Sequence, residues 1–464
     1  MGNDNSPENF AKQKRSVIVA PAGYGKTELI AQSIACSEGR QLILTHTHAG
    51  IDSLRKRIKR YKIPSSCYSI DTIHSFALRF AGSYPETAGL TIQKPQKNED
   101  YSQIISSAVQ IFDTKLGKDI LKCSYSGIFV DEYQDCEINQ HRLICKLADI
   151  LPCRIVGDPL QGIYNFGGNQ LVDWNKDVFS FFNQLPDLTI PYRWKNTPRL
   201  GERLKELRQK LLNKQSITYC AQSASYRDII KFFYEGNNFA QDKVFVICEP
   251  INVNYPHFLC QNLSNRFRTI EPLTSKDLCE YAAGIDSSCG INRLKNAIEF
   301  AKVCLTNISK ESGEIWDFLT NKKGKRCFTD SELRLKHLFL NIVNSNNLKC
   351  VYDLFIFFEE EYKPTYKRYQ LWNEMKKGLQ EVVLKGSTSL EEAAWKTRNQ
   401  LRFTGNRIPQ RCISRTVLLK GLECDHAIII KPELFDAKNL YVAFTRASTK
   451  ITIISDKNLW SYCQ

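Results

Sequence analysis

The chain has 464 residues, enough for about two to four compact units around a large core. Its 64 basic and 49 acidic side chains leave a formal charge of +15, for which a polyanionic partner is the economical reading, although solubility alone would also account for it. The 17 cysteines carry no C-x-x-C pair or zinc spacing, the N-terminus lacks the apolar core of a signal peptide, and no run approaches the roughly 18 apolar residues of a membrane span, so a soluble cytoplasmic protein with no membrane role is expected.

The first 190 residues alternate short apolar strands, expected at 16–20, 41–45, 127–131, 153–157 and 187–190, with helices expected at 26–37, 49–61, 99–117, 137–149 and 171–184. That rhythm predicts a parallel sheet with helices on both faces. At its start, Val17 to Val19 feed the run Ala20-Pro21-Ala22-Gly23-Tyr24-Gly25-Lys26-Thr27. Strand, glycine-containing turn and helix in this order form a phosphate-binding loop, with Ala20 where the strict pattern has glycine. Gly23 and Gly25 let backbone N–H groups of the loop, from Ala22 through Tyr24, turn inward on a triphosphate. Lys26 supplies a point charge for its outer oxygens, and Thr27 a hydroxyl for Mg²⁺.

The strand Gln41–Thr45 runs into Thr45-His46-Thr47-His48 and a helix bearing Arg55, Lys56, Arg57, Lys59 and Arg60. Hydroxyls followed by a basic helix suit a nucleic-acid backbone, and a solvated helix face fits equally well. A metal site at His46 and His48 lacks a third ligand. The segment Asp71-Thr72-Ile73-His74-Ser75-Phe76 is weak by itself. Ile128-Phe129-Val130-Asp131-Glu132-Tyr133-Gln134-Asp135 is strong: an apolar strand ends in two carboxylates. In a phosphate-loop ATPase, Asp131 would hold Mg²⁺ and Glu132 would orient and deprotonate the attacking water. In the next strand end, Ile155 to Phe166, Gln161 can reach a γ-phosphate from a neighbouring loop. Phe166 can stack on a base, while for Tyr164 core packing is the better reading. A helix at 199–213, a strand Lys243–Cys248, a helix near 255–265 and the segment Phe267–Ile270 follow. Helical periodicity then fills 286–404, and strands return at Ser414–Leu419, Ala427–Lys431 and Lys450–Ser455.

In this order the segments resemble the motifs of superfamily 1 helicases of the UvrD, Rep and PcrA type. The likeness continues in Pro191-Tyr192-Arg193, in Lys420-Gly421-Leu422-Glu423-Cys424-Asp425 and in Leu440-Tyr441-Val442-Ala443-Phe444-Thr445-Arg446-Ala447. The resemblance implies two RecA-like domains clamping ATP and Mg²⁺ between them, single-stranded DNA or a single-strand/duplex junction across their tops, and 3′ to 5′ movement. By the same resemblance Tyr192 stacks near the adenine, Glu423 binds ribose, Arg193 reaches the γ-phosphate and Arg446 is the arginine finger. Thr45, His46, His74 and Phe166 fall where the family touches nucleic acid. The expected division is 1–186 for the first domain with a reduced insertion at 76–126, 187–285 with 405–464 for the second, and 286–404 for a reduced helical subdomain.

Departures from the family gather on its nucleic-acid side. Gly167 stands where an arginine follows the stacking aromatic, His46 where an aromatic is usual and Val417 where a histidine precedes the lysine. No glutamine motif that reads adenine is recognisable. Tyr362 to Tyr369, with Trp372, Lys376 and Lys377, interleaves bases with aromatics, which suits a nucleic-acid strand, an acidic partner or an ordinary amphipathic helix. Two functions are expected: an autonomous DNA translocase or helicase of bacterial repair or anti-phage defence, or a nucleic-acid-gated ATPase regulating a partner nuclease, as in Gabija-type systems.

Overall fold

The computed structural model describes residues 6–92, 98–163, 170–223, 225–234, 239, 242–271, 276–308, 316–317, 329–386, 389–404 and 408–462. Short apolar runs between helices build a first sheet from β1 (Arg15–Val19), β2 (Gln41–Thr45), β3 (Tyr68–Thr72), β4 (Gly127–Val130), β5 (Cys153–Gly157) and β6 (Asn183–Gln184). All pairings are parallel, in the order β3-β2-β4-β5-β1-β6. Strand β5 therefore lies between β1, which feeds the phosphate loop, and β4, which ends at Asp131. Val17 faces Ile155, and Ile155 in turn faces Val130. Apart from Arg15 at the start of β1, the central strands are buried throughout, as a sheet covered on both faces requires.

After the short β7 (Ile217–Thr218), a second sheet is built from β8 (Val244–Cys248), β9 (Arg268–Thr269), β10 (Arg411–Arg415), β11 (Cys424–Ile430) and β12 (Ala447–Ile454). It too is wholly parallel, in the order β12-β11-β8-β10-β9. The terminal β13 (Leu459–Trp460) pairs antiparallel with β7. Between β9 and β10 the chain forms a helical module around its own core, which includes Phe300, Phe355 and Trp372. The architecture is thus α/β: two RecA-like lobes of parallel sheet and flanking helices, with a helical insertion in the second.

Local chemistry explains where elements depart from expectation. The expected helix 99–117 breaks at Thr114, whose hydroxyl accepts the N–H of Gly117 and starts a new helix, Lys115–Ser124. A Cβ at Gly117 would lie 2.2 Å from the Ile111 carbonyl oxygen. The expected helix 171–184 is instead a π-helical turn, Trp174–Val178, and a short helix, Phe179–Phe181. Burial of Trp174, Val178 and Phe182 in the first core leaves Asn183 and Gln184 beside β1 as the sheet's last strand, a place expected of 187–190. Tyr68–Thr72 escaped notice because it is a mostly half-buried edge strand of mixed polarity. The strand expected at 414–419 ends at Arg415, and Thr416–Leu419 form one helical turn. The helical module takes in Leu278, Ala282 and Ile285, so its packing begins with the helix Lys276–Asp286.

The sequence Tyr362–Tyr369 serves as a fastening. Arg368 bonds Glu271 at 2.9 Å and Asp277 at 3.1 Å, Lys367 donates to the Lys302 carbonyl, and the Tyr366 hydroxyl donates to Glu359. Glu359 also accepts from Trp372 and Lys376. These contacts lock the module to the second sheet and engage Lys367, Arg368 and Lys376, while Lys363 and Lys377 are exposed.

Candidate active site at the seam between the lobes

Gly23 and Gly25 have φ of +77° and +88°, the left-handed region that favours glycine, and Gly25 caps the helix Lys26–Ala35. Close approach makes the same demand. A Cβ at Gly23 would lie 2.9 Å from that of Arg193, and one at Gly25 would lie 3.1 Å from the Tyr192 ring. The motif at 191–193 therefore lies directly against the loop, and the Arg193 N–H donates to the Gly23 carbonyl at 3.0 Å. Ala22 and Tyr24 are buried in one cluster with Leu160, Trp194, Leu204, Tyr441 and Phe444, so the loop packs into the second lobe's core.

At the far end of the loop, Lys26 is buried and its ammonium donates to the Ala20 carbonyl at 3.2 Å. The Thr27 hydroxyl donates to Asp131 at 3.1 Å. A hydroxyl and a carboxylate side by side form an all-oxygen pair of the kind a hard divalent cation takes. Burial, and then the neighbouring Glu132 charge, pushes the Asp131 carboxyl up to about 7. Burial would raise Glu132 as well, but Lys26, Lys420, a bond from Gln134 at 2.5 Å and Arg446 together hold it down at about 2. Two adjacent carboxyls are thereby driven apart, with Glu132 kept ionised. Glu132 has φ +56°, a left-handed conformation uncommon for a non-glycine residue and found where a side chain must be aimed.

The two arginines sit differently. Arg193 donates to the Thr445 carbonyl at 2.5 Å and pairs with Glu423. Burial would raise the Glu423 carboxyl, yet Arg193, Arg446 and Arg57 hold it below its usual value. Arg446 is 2% exposed and donates to the carbonyls of Val442 and Leu422 and to the Thr445 hydroxyl. Burial, then repulsion from Arg193, lowers its pKa to about 10. It stands within electrostatic reach of Glu132 but is held by its own lobe. Tyr192 is 60% exposed at the mouth of the site. Gln161 is buried and bonded to Asp158 at 2.9 Å.

Of the positions expected to face nucleic acid, Thr45 is buried against the start of the basic helix. Burial, then Lys420 and His74, lowers the His46 pKa to about 3, and its Nε2 lies 3.5 Å from the Cys136 sulfur. His74, also lowered by burial, lies 3.3 Å from Gln140 and edge-on to Tyr101. On the basic helix Arg57 pairs with Glu28, while Lys56, Lys59 and Arg60 are exposed. Tyr164, Phe166 and Gly167 lie outside the described residues.

Several groups at the seam had been given no role. Lys420 of the second lobe pairs with Asp135 of the first, and each is 4% exposed. Burial raises Asp135 to about 7 and lowers Lys420. Asp158, Tyr441, Asp135 and Lys420 all lie inside recognised motifs, which is the signal that could have drawn attention to them. Arg208 had none, being one basic residue among several on the helix Pro198–Leu212.

Residues 5–167 match the family model described as an AAA domain. No curated protein matches the chain. Among solved structures, the chain is similar to the Pif1 helicase from Candida albicans, at 12% identity and TM-score 0.41, over 97% of this chain and 94% of that one. It is also similar to an Arterivirus nonstructural protein 10 (helicase) in complex with DNA, at 9% identity and TM-score 0.36. That alignment takes in 97% of this chain but 63% of the viral one. Likeness at these scores carries no argument, so the assignment rests on the matched domain and the seam. Together they show an AAA domain whose loop packs against a second lobe.

Proposed function

We propose that this chain is a nucleic-acid-dependent ATPase of helicase type that acts on single-stranded DNA. One observation carries the reading. The phosphate loop and the Asp131–Glu132 pair of the first lobe face Arg193, Lys420 and Arg446 across a single seam. Hydrolysis then requires groups from both lobes, so nucleotide state and lobe closure are linked. Thr27 and Asp131 would hold Mg²⁺, which when bound neutralises charge on the phosphates. Lys26 binds the outer phosphates, and Glu132, ionised and aimed by its backbone, takes the proton of the attacking water. Gln161 reaches the γ-phosphate, Arg193 and Arg446 meet charge developing on the transferred phosphoryl, and Tyr192 and Glu423 take base and ribose. In this reading 1–186 and 187–285 with 405–464 are the two motor domains and 286–404 is the accessory subdomain. The motif order supports a UvrD-type motor moving 3′ to 5′.

A second reading is favoured by a specific observation: Lys367 and Arg368, two of the cations of 362–369, are engaged in fastening the helical module. With Gly167 for arginine beside Phe166, the chain's own grip on a strand is reduced. This supports a DNA-gated ATPase that works with a partner, such as a nuclease in anti-phage defence, and opens little duplex alone. ATP turnover and strand displacement by the purified chain decide between the readings. Single-strand-stimulated turnover without displacement supports the gated ATPase, efficient displacement supports the helicase, and turnover indifferent to nucleic acid overturns both.

A further inference from the structure

A chain of buried polar groups crosses the seam beside the phosphate loop. The Ala22 N–H donates to the Tyr441 hydroxyl at 3.1 Å. The Arg208 guanidinium donates to that same hydroxyl at 3.2 Å and to Asp158 at 2.6 Å. The second Asp158 oxygen accepts the Gln161 side-chain amide at 2.9 Å. Tyr441 and Arg208 are 2% and 7% exposed and Asp158 wholly buried, and the Arg208 guanidinium also lies over the Tyr441 ring. Removing one member strands the others away from water, which makes such a network stiff.

Its connections reach three parts of the site. Asp158 holds the amide nitrogen of Gln161 and so fixes which way its oxygen points. Tyr441 lies in the helix Ala437–Phe444, which leads directly to Arg446. Arg208 lies in the helix Pro198–Leu212, which follows Arg193 and Trp194, and Trp194 is itself bonded to the Ala447 carbonyl. We propose that Arg208 and Tyr441 are positioning residues: they clasp the phosphate loop to the helix that leads into Arg446 and set the orientation of Gln161. The inference rests on the ATPase reading and extends it from the groups that meet the phosphates to the groups that align them. A clasp anchored on a loop N–H senses the loop directly, because any shift of Ala22 on nucleotide binding pulls on Tyr441 and Arg208 together.

The test uses the full chain and the Tyr441→Phe variant, which keeps the ring and its packing but removes the hydroxyl. Two quantities are measured: ATP turnover, and hydrogen exchange of the peptide spanning the phosphate loop. The expected result is faster exchange confined to that peptide, kcat lowered about tenfold and KM for ATP within about twofold of wild type. The melting temperature should stay within about 2 °C. Arg208→Gln should lower kcat at least as much, and the double variant no further than Arg208→Gln alone. Where Arg208→Gln fails to fold, Tyr441→Phe carries the test. Unchanged loop exchange in Tyr441→Phe overturns the clasp. Faster exchange with unchanged kcat overturns its positioning role. A wild-type chain without ATPase activity overturns the functional reading instead, and the exchange measurement still reports on the clasp.

Discussion

Asp135 with Lys420 and Asp158 with Arg208 are buried pairs whose partners come from different sides of the seam. In the helical module Glu374 and Arg398 are buried as deeply, at 2% and 4% exposure, but lie on neighbouring helices of one unit. A buried pair is weak evidence for stability, because desolvation offsets much of the attraction. What differs is what each pair can report. The module pair stays together as long as the module is folded. The seam pairs tie one lobe to the other, so any parting of the lobes would break them and expose their charges.

The sharpest test of that contrast lies in the catalytic set. Lys26→Ala and Arg446→Ala should each lower ATP turnover by about 10³ or more, measured as phosphate release. Arg446→Ala should keep most single-strand affinity in a fluorescence binding assay. If it loses affinity and keeps turnover, the seam is the wrong place for the chemistry.

Next come the pairs themselves. Lys420→Ala and Arg398→Ala each strand a buried carboxylate and should each cost about 3–5 kcal/mol in denaturant unfolding. Only Lys420→Ala should also reduce turnover per folded molecule. Equal activity in the two variants would erase the distinction between them. On the nucleic-acid side, Phe166→Ala should weaken single-strand stimulation by about 1–3 kcal/mol while basal turnover persists. A lower melting temperature with unchanged stimulation would make Phe166 a core residue.

The smallest effect is expected from His426, whose Nε2 lies 2.8 Å from the Thr452 hydroxyl. Burial, and then Lys450, lowers its pKa to about 4. A histidine depressed on folding favours the neutral form, so its contribution is intact above the unfolded value of about 6.5 and is lost as pH falls towards 4. Replacing it by Gln should flatten melting temperature against pH between those values. An unchanged slope would remove His426 from the account.

What the sequence determined is what local rules govern. Apolar β-branched runs ending in Gly-Lys-Thr or in paired acids predict strand, loop and helix, because the backbone there is constrained within a few residues. Hence β1, β2, β4 and β5, Lys26, Thr27, Asp131 and Glu132 were all legible, as were the two parallel sheets. Edges were not: β3 and β6 are held by neighbours rather than by pattern, and the helix break at Thr114 brings the backbone so close to the Ile111 carbonyl that only a glycine fits at 117. Only the tertiary structure decided which cation meets which acid. A buried arginine such as Arg208 and a solvated one such as Arg55 read alike on a helix, because the difference lies in residues far off in the chain, here Asp158 and Tyr441. The same holds for Arg368, which read as a contact for a polyanion and is instead held between Glu271 and Asp277.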